Sequence, residues 1–339
     1  MTLTNQQIHL ISRPAAEAST NNFALVQASV PELEDGQVLV RHHFMSLDPY
    51  MRGRMNDSKS YAVPQALGQV MGGGTVGEVV ASRHAQFAEG DKVVGMGGWQ
   101  QYSVVNAGQP GMLRKVSTSG VPLSAYLGVV GMPGVTAWYG LNKIIAPQAG
   151  QTVLVSAASG AVGATVGQLA KAKGCRVVGI AGGAAKCKVV VEEFGFDVCI
   201  DHRTLADGKT FNAAVREACP QGIDGVFENV GGLGLDAALM SANAFARVAV
   251  CGMISGYNGV PIPLRTPQLI LTNRMLVQGF IVSEHMNVWP EALGELGQLV
   301  ASSKMKYRES VAQGLESAPA AFIGLLAGKN FGKQLVKLI

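Results

Sequence analysis

The rhythm of apolar and polar positions changes near residue 123. Before that point, short apolar runs are interrupted by glycines and polar turns. Val38–His43 (VLVRHH), Gly74–Ala81 (GTVGEVVA) and Asp91–Gly95 (DKVVG) read as strands, with turns at Glu34-Asp35-Gly36 and Glu89-Gly90-Asp91. No helical period persists there. Between the first two strands, Ser46–Met55 (SLDPYMRGRM) reads as a loop or a short helix capped by Asp48. Past Leu123 the pattern turns helical, in Ser124–Leu127 and again in Val135–Leu141. From Thr152 strands and helices alternate. The predicted strands are Val153–Val155, Arg176–Ile180, Val198–Ile200, Gly225–Glu228, Arg247–Cys251 and Leu276–Val282. The predicted helices are Ala164–Lys173, Ala184–Phe194, Lys209–Ala218, Leu235–Asn243 and Asn287–Ser303. Such alternation implies crossover units and a doubly wound parallel sheet, so the expected class is α/β of Rossmann type. Strand-like Gln334–Leu338 falls outside that complete sheet, and the final stretch is expected to return to the first domain.

The first of these strands runs into Ala157–Gly163 (AASGAVG). This has the spacing of a dinucleotide-binding turn, G-x-G-x-x-G, with Ala158 in place of the first glycine. Small residues let the backbone approach a pyrophosphate, and the free N–H groups of a helix start attract its charge. The last glycine lets helix and strand pack closely. Taken alone, the same pattern also fits a tight turn in another α/β protein. Two more glycine-rich segments, Glu228–Gly232 (ENVGG) and Cys251–Asn258 (CGMISGYN), end further strands of the sheet. Ligands of open α/β sheets lie at the carboxyl ends of strands, so all three turns are expected to face one cofactor.

An NAD-preferring site places Asp or Glu at the end of the second strand. Here that position is Ala181-Gly182-Gly183, with Lys186 just beyond and Arg203 past the third strand. A gap without a carboxylate, flanked by lysine, fits NADPH. The alternative is that Lys186 is an ordinary surface lysine.

Composition narrows the picture further. The chain of 339 residues is 48% hydrophobic and 15% charged, with 43 glycines, as expected of about two packed domains. A net charge of +4 with no basic run argues against nucleic acid or a membrane surface as partner. Five scattered cysteines without a C-x-x-C pair fit a reducing cytoplasm better than a disulfide framework or a structural zinc cluster. The start, MTLTNQQIHLISRP, carries no signal-peptide pattern, so a cytoplasmic protein is expected.

AASGAVG, ENVGG, CGMISGYN, the closing NFGKQLVKL and the early SLDPYMRGRM together resemble the zinc-independent medium-chain dehydrogenase/reductases. The similarity is to the branch of prostaglandin reductases, leukotriene 12-hydroxydehydrogenases and bacterial curcumin reductases, and it runs from about Val38 to the C-terminus. The resemblance implies a mainly β, GroES-like catalytic domain from residues 1–126 and 305–339, with a Rossmann domain inserted at 127–304. It implies NADPH-dependent reduction of the carbon–carbon double bond of α,β-unsaturated ketones and aldehydes, and a homodimer. Gly160, Ala161, Val162 and Gly163 would hold the pyrophosphate, and Lys186 the 2′-phosphate. Asn229 would meet the cofactor near a ribose. Cys251, Gly252, Ile254, Ser255 and Tyr257, with Phe280, Ile281 and Val282, would line the nicotinamide end, and Asn330 would reach the cofactor from the C-terminal segment. One departure stands out. His202 occupies the position where several relatives carry a tyrosine at the 2′-phosphate, so the resemblance implies that NADPH preference rests more on Lys186, with Arg203, and is open to pH.

Zinc alcohol dehydrogenases carry Gly-His-Glu after the first strands. The matching stretch here, Leu67–Gly74, has neither His nor Glu, so no metal is expected. His42 and His43 are adjacent on a strand and point to opposite faces, which makes them structural. Without zinc, a hydroxyl, an amide N–H or the cofactor's own ribose hydroxyl must steady the charge that builds on the substrate carbonyl oxygen. Tyr257 is the candidate donor, or else a pocket wall that only packs against substrate. Tyr50, Arg52 and Tyr61 are candidate substrate-binding residues, although an Arg in a turn such as Arg52 is more often a surface ion-pair partner. A quinone reductase or a non-catalytic NADPH-binding protein remains the alternative at this level.

Overall fold

The computed structural model describes residues 3–109 and 113–339. The chain divides into two compact units, one formed by the chain up to Leu127 together with Glu309–Ile339, the other by Gly128–Arg308.

The first unit contains β1 (Thr4–Leu10), β2 (Phe23–Ser29), β3 (Gln37–Ser46), the short helix α1 (Tyr50–Arg54), β4 (Gln69–Val70), β5 (Thr75–Ser82), β6 (Lys92–Gly95), β7 (Tyr102–Asn106) and β8 (Leu113–Lys115). β1 pairs with β2 and β4 in a small antiparallel sheet. β3 is the long strand of the other sheet, because Val38, Val40 and Met45 are fully buried and it pairs with β5 and β7. A register shift between His42 and Phe44 marks a bulge in β3. A core of Leu10, Met51, Met55, Trp99 and Phe322 packs α1 against β1.

The second unit opens with α2 (Met132–Tyr139), which runs on as a π-helical segment, Gly140–Ile145. Gly140 allows this close approach, since a Cβ there would lie 2.4 Å from Phe227 Cε2. Then come β9 (Thr152–Val155), α3 (Ala161–Ala172), β10 (Arg176–Ala181), α4 (Ala184–Glu192), β11 (Val198–Asp201), α5 (Gly208–Ala218), β12 (Ile223–Glu228), α6 (Leu233–Met240), β13 (Ala242–Val250), α7 (Gln268–Thr272), β14 (Leu276–Gly279) and α8 (Trp289–Ala301). The sheet order is β11-β10-β9-β12-β13-β14, parallel throughout. This is the doubly wound Rossmann sheet that the alternation predicts, with the order reversing beside β9. Val153, Leu154 and Val155 are fully buried, as befits a strand covered on both faces.

The chain then re-enters the first unit as β15 (Glu309–Gln313), α9 (Ala318–Leu326) and β16 (Lys333–Lys337). β16 pairs with β15 and, antiparallel, with β3, which completes that sheet. No helix among the described residues is long and apolar enough to cross a membrane.

Candidate active site

Three turns at the carboxyl ends of β9, β12 and β13, together with the β10 and β11 ends, build the candidate site within the second unit. After β9, Ala157 adopts φ 49° and Gly160 starts α3 with no capping side chain. No side chain therefore satisfies the first-turn amides. A Cβ on Gly163 would lie 2.4 Å from Ala157 O and 2.9 Å from Ala158 Cα, so only glycine packs there. Gly160, Ala161, Val162 and Gly163 thus form the small-residue entry to a helix of 12 residues.

At the ends of β10 and β11 the chain concentrates positive charge. Asp201 Oδ1 accepts from Gly183 N at 2.7 Å and from Arg203 N at 3.0 Å, which folds the two strand ends together. A Cβ on Gly182 would lie 2.7 Å from His202 Nε2 and 3.3 Å from Arg203 Nε. His202 and Arg203 therefore lean over the two glycines. Burial and the charge of Arg203 both lower the Lys186 pKa. His202 is also lowered, by burial first; Asp201 opposes this, and Arg203 and Lys186 add to it. The charges of Lys186 and Arg203 therefore lie close enough to repel one another, with the His202 ring beside them at the Gly182-Gly183 turn.

The ends of β9, β12 and β13 are tied by one polar network. Glu228 Oε1 accepts from Ser156 Oγ at 2.8 Å, Val230 N at 2.5 Å and Gly231 N at 2.7 Å. Burial raises the Glu228 pKa against these bonds, and its Oε2 has no partner among the described residues. Asn229 donates through Nδ2 to Ser156 O at 2.7 Å, while its Oδ1 accepts from Cys251 Sγ at 3.0 Å. Burial, then the Glu228 charge, pushes the Cys251 thiol up, so it stays a protonated donor.

The segment after β13 is a 3-10 turn at Ile254–Gly256. Ile254 N bonds Asn229 O at 3.2 Å and Ser255 N bonds Val230 O at 3.1 Å, which anchors it to the ENVGG turn. Tyr257 is half-buried, and its hydroxyl accepts from Met253 N at 3.4 Å. A Cβ on Gly252 would lie 3.2 Å from that hydroxyl. Burial raises the Tyr257 pKa, so the phenol keeps its proton at neutral pH. Beyond β14, Phe280 packs on Phe227 and Tyr139, and Trp289 Nε1 donates to Val282 O at 3.2 Å. Ile281 is half-buried and Val282 buried.

The remaining candidates lie in the first unit. Tyr50 is half-buried, its pKa raised by burial and by the charges of Asp48 and Tyr61, so the two tyrosines stand near one another. Tyr61 is 59% exposed. Arg52, by contrast, is 2% exposed and donates to Asn56 Oδ1 and Ala16 O, which makes it a brace for α1. Asp48 does not cap α1: no side chain does, and Asp48 bonds Ser46 and Lys333 instead. Asn330 donates to Gly332 O at 2.8 Å, which fixes the turn before β16. His42 and His43 face different partners, Ser103 and Glu78.

Sequence reasoning missed Ser156 and Glu228 as the frame of the site. A carboxylate closing the otherwise apolar strand IDGVFE was the available signal.

A family model described as the N-terminal domain of oxidoreductase matches residues 6–113, and one described as zinc-binding dehydrogenase matches 161–298. The NADPH-dependent curcumin reductase of Escherichia coli (strain K12) is 47% identical over 341 residues, covering 98% of this chain and 97% of its own. The 2-alkenal reductase (NADP(+)-dependent) of Nicotiana tabacum is 42% identical, over 92% of this chain and 90% of its own. This chain belongs to the zinc-independent medium-chain dehydrogenase/reductases. The family's structural counterpart is visible in CurA from Vibrio vulnificus in complex with NADPH, which superposes with a TM-score of 0.91 at 44% identity, over 98% of this chain and 99% of that one. Although one matching model carries zinc in its description, no group of three or more His, Cys, Asp or Glu among the described residues is placed to hold a metal ion.

Proposed function

We propose that this chain reduces the carbon–carbon double bond of α,β-unsaturated ketones and aldehydes with NADPH, as an alkenal and enone reductase. The observation that carries this reading is full-length similarity to reductases of curcumin and of 2-alkenals, which share a double bond conjugated to a carbonyl. NADPH supplies a hydride when bound. The residues fit it: Gly160–Gly163 offer uncapped amides to the pyrophosphate, and Lys186, His202 and Arg203 meet the 2′-phosphate. Asn229, Cys251, Gly252, Ile254 and Ser255 shape the ribose and nicotinamide end with Phe280, Ile281 and Val282.

Reduction at the β-carbon leaves negative charge on the substrate carbonyl oxygen. Tyr257 donates a hydrogen bond to that oxygen, and its raised pKa keeps the proton available.

The protein acts as a homodimer. Support comes from β14, whose four residues are all exposed at an open sheet edge, with Leu276 and Val277 39% and 40% exposed. Such an edge invites strand pairing with a second copy. Five free cysteines support a cytoplasmic setting.

The test is loss of NADPH absorbance with 2-nonenal, followed by product analysis. The saturated aldehyde supports the reading. The allylic alcohol, or tight NADPH binding without turnover on any enal or enone, overturns it.

A further inference from the structure

The basic cluster hangs on one carboxylate oxygen. Asp201, the last residue of β11, stands opposite Ala181, the last residue of β10, in the parallel register. Its Oδ1 accepts from Arg203 N at 3.0 Å and so caps the 3-10 turn His202–Thr204. Thr204 Oγ1 donates back to Asp201 O at 2.9 Å, which closes that turn. The same Oδ1 accepts from Gly183 N at 2.7 Å, across from β11 to the start of α4. Gly183 holds φ 101°, a conformation open to glycine. Its carbonyl in turn accepts from Lys186 N at 3.0 Å. A cap needs only the bond to Arg203. The second bond, to Gly183, makes Arg203 and Lys186 take their backbone positions from a single oxygen, although they stand on different elements. Asp201 is also charged. Burial raises its pKa, but the amides of Gly183 and Arg203 and the charges of His202 and Arg203 outweigh that and hold the carboxyl below its usual range.

We propose that Asp201 is the positioning residue of the 2′-phosphate site: its Oδ1 sets Lys186 and Arg203 in place for the phosphate, and its negative charge restrains the affinity that this placement makes possible. The inference rests on the reading of Lys186, His202 and Arg203 as the 2′-phosphate site. The two effects separate chemically. Asp201→Asn keeps a side-chain oxygen that accepts from Gly183 N and Arg203 N, and loses only the charge. Asp201→Ala loses the acceptor as well, so both amides come off their anchor and the two cations lose their common reference. NADH, which has no 2′-phosphate, meets neither effect.

The test is fluorescence titration of the full chain with NADPH and with NADH at pH 8, where His202 carries little charge. Thermal unfolding of each variant, run beside it, reports folding. Asp201→Asn should lower NADPH Kd about threefold, as one like charge is removed from beside the phosphate. Asp201→Ala should raise NADPH Kd about tenfold. NADH Kd should stay within about twofold in both. Opposite signs from one position, confined to one cofactor, are beyond a cap that only stabilises its turn. Such a cap would weaken both cofactors alike or neither. Asp201→Ala with an unchanged ratio of NADPH to NADH affinity overturns the inference, as does Asp201→Asn that binds NADPH no tighter than the parent. Should Asp201→Ala fail to fold, Asp201→Asn, which keeps both hydrogen bonds, decides alone. Lys186→Ala is the separate control: if it leaves NADPH affinity unchanged, the phosphate-site reading is what fails.

Discussion

The Lys333 ammonium lies 2.6 Å from Asp48 Oδ1, with the two residues 4% and 6% exposed. Lys333 also donates to Leu47 O, and Ser46 donates to the other Asp48 oxygen. This clip joins β16 to the segment before α1, from opposite ends of the chain. Removing one charge strands the other in the core, at a cost of about 3 kcal/mol. Lys333→Met should lower unfolding free energy by that amount, read by chemical denaturation. The pair Asp48→Leu with Lys333→Met should lose less than the sum of the single changes. Additive losses would show that the two charges are not coupled.

The basic cluster predicts a split between cofactors. Each charged hydrogen bond to the 2′-phosphate contributes about 1.5–3 kcal/mol, or roughly 10- to 150-fold in affinity. Lys186→Ala and Arg203→Ala should each raise NADPH Kd in that range and barely move NADH Kd, measured by fluorescence titration. Equal losses for both cofactors would place these residues outside the phosphate contact.

His202 sets the sign of a pH effect. In the free protein burial lowers its pKa, so it is neutral at pH 7. A phosphate dianion beside it favours the charged form and raises that pKa. Binding therefore takes up a proton between the two values, and NADPH affinity strengthens as pH falls through that window. The cofactor's own phosphate, ionising near a pKa of about 6, works the other way. His202→Gln removes only the protein's part, so its NADPH affinity should weaken relative to the parent as pH drops from 7.5 to about 6. Parallel pH profiles of Kd would refute the contact.

Acid sensitivity follows from a different histidine. His42 is lowered to about 3, by burial first and by the His43 charge second. Its Nε2 lies 2.9 Å from Ser103 Oγ, so the ring is held neutral inside the first unit. Once unfolded, His42 takes up a proton below its ordinary value of about 6.5. The unfolded state thus binds more protons, and stability falls as pH drops from about 6.5 toward the folded value. His42 alone accounts for about 2 kcal/mol between pH 7 and pH 5. Denaturation of His42→Gln should show a pH slope shallower by that amount; an unchanged slope would mean that other groups carry it.

The Rossmann half was the legible half, for a physical reason. Strands buried on both faces read as unbroken apolar runs such as Val153–Val155, and glycine turns mark their ends. Several boundaries moved further: α3 starts at Ala161 rather than Ala164, and α6 ends at Met240 so that β13 begins at Ala242, where the prediction still had helix and placed the strand start at Arg247. The predicted strand Leu276–Val282 stops at Gly279, where the chain bends into a 3-10 turn at Val282. The first unit was harder. β1 (TNQQIHL) has only Ile8 and Leu10 as apolar residues and buries the polar Asn5 beside them, so no strand is legible before Val38. Asp48 looked like a helix cap because a cap is a local device, whereas its partner Lys333 lies 285 residues away. Long-range pairing of this kind leaves no mark on spacing. The same holds for Glu228, whose role depends on three strand ends meeting.

Tyr257 offers the most direct test of mechanism. Its hydroxyl is aimed by Met253 N and crowded by the bare face of Gly252. Loss of one donor to a developing oxyanion costs on the order of 3 kcal/mol, or about 100-fold in rate. Tyr257→Phe keeps the ring and its packing, so kcat for 2-nonenal should fall about 100-fold while NADPH Kd stays put. Gly252→Ala should act by another route, displacing the hydroxyl that a Cβ would meet at 3.2 Å and lowering kcat through position alone. A Tyr257→Phe enzyme with full kcat and a raised KM would instead make the ring a wall of the substrate pocket. The donor would then have to be sought among the other hydroxyls and amides facing the substrate.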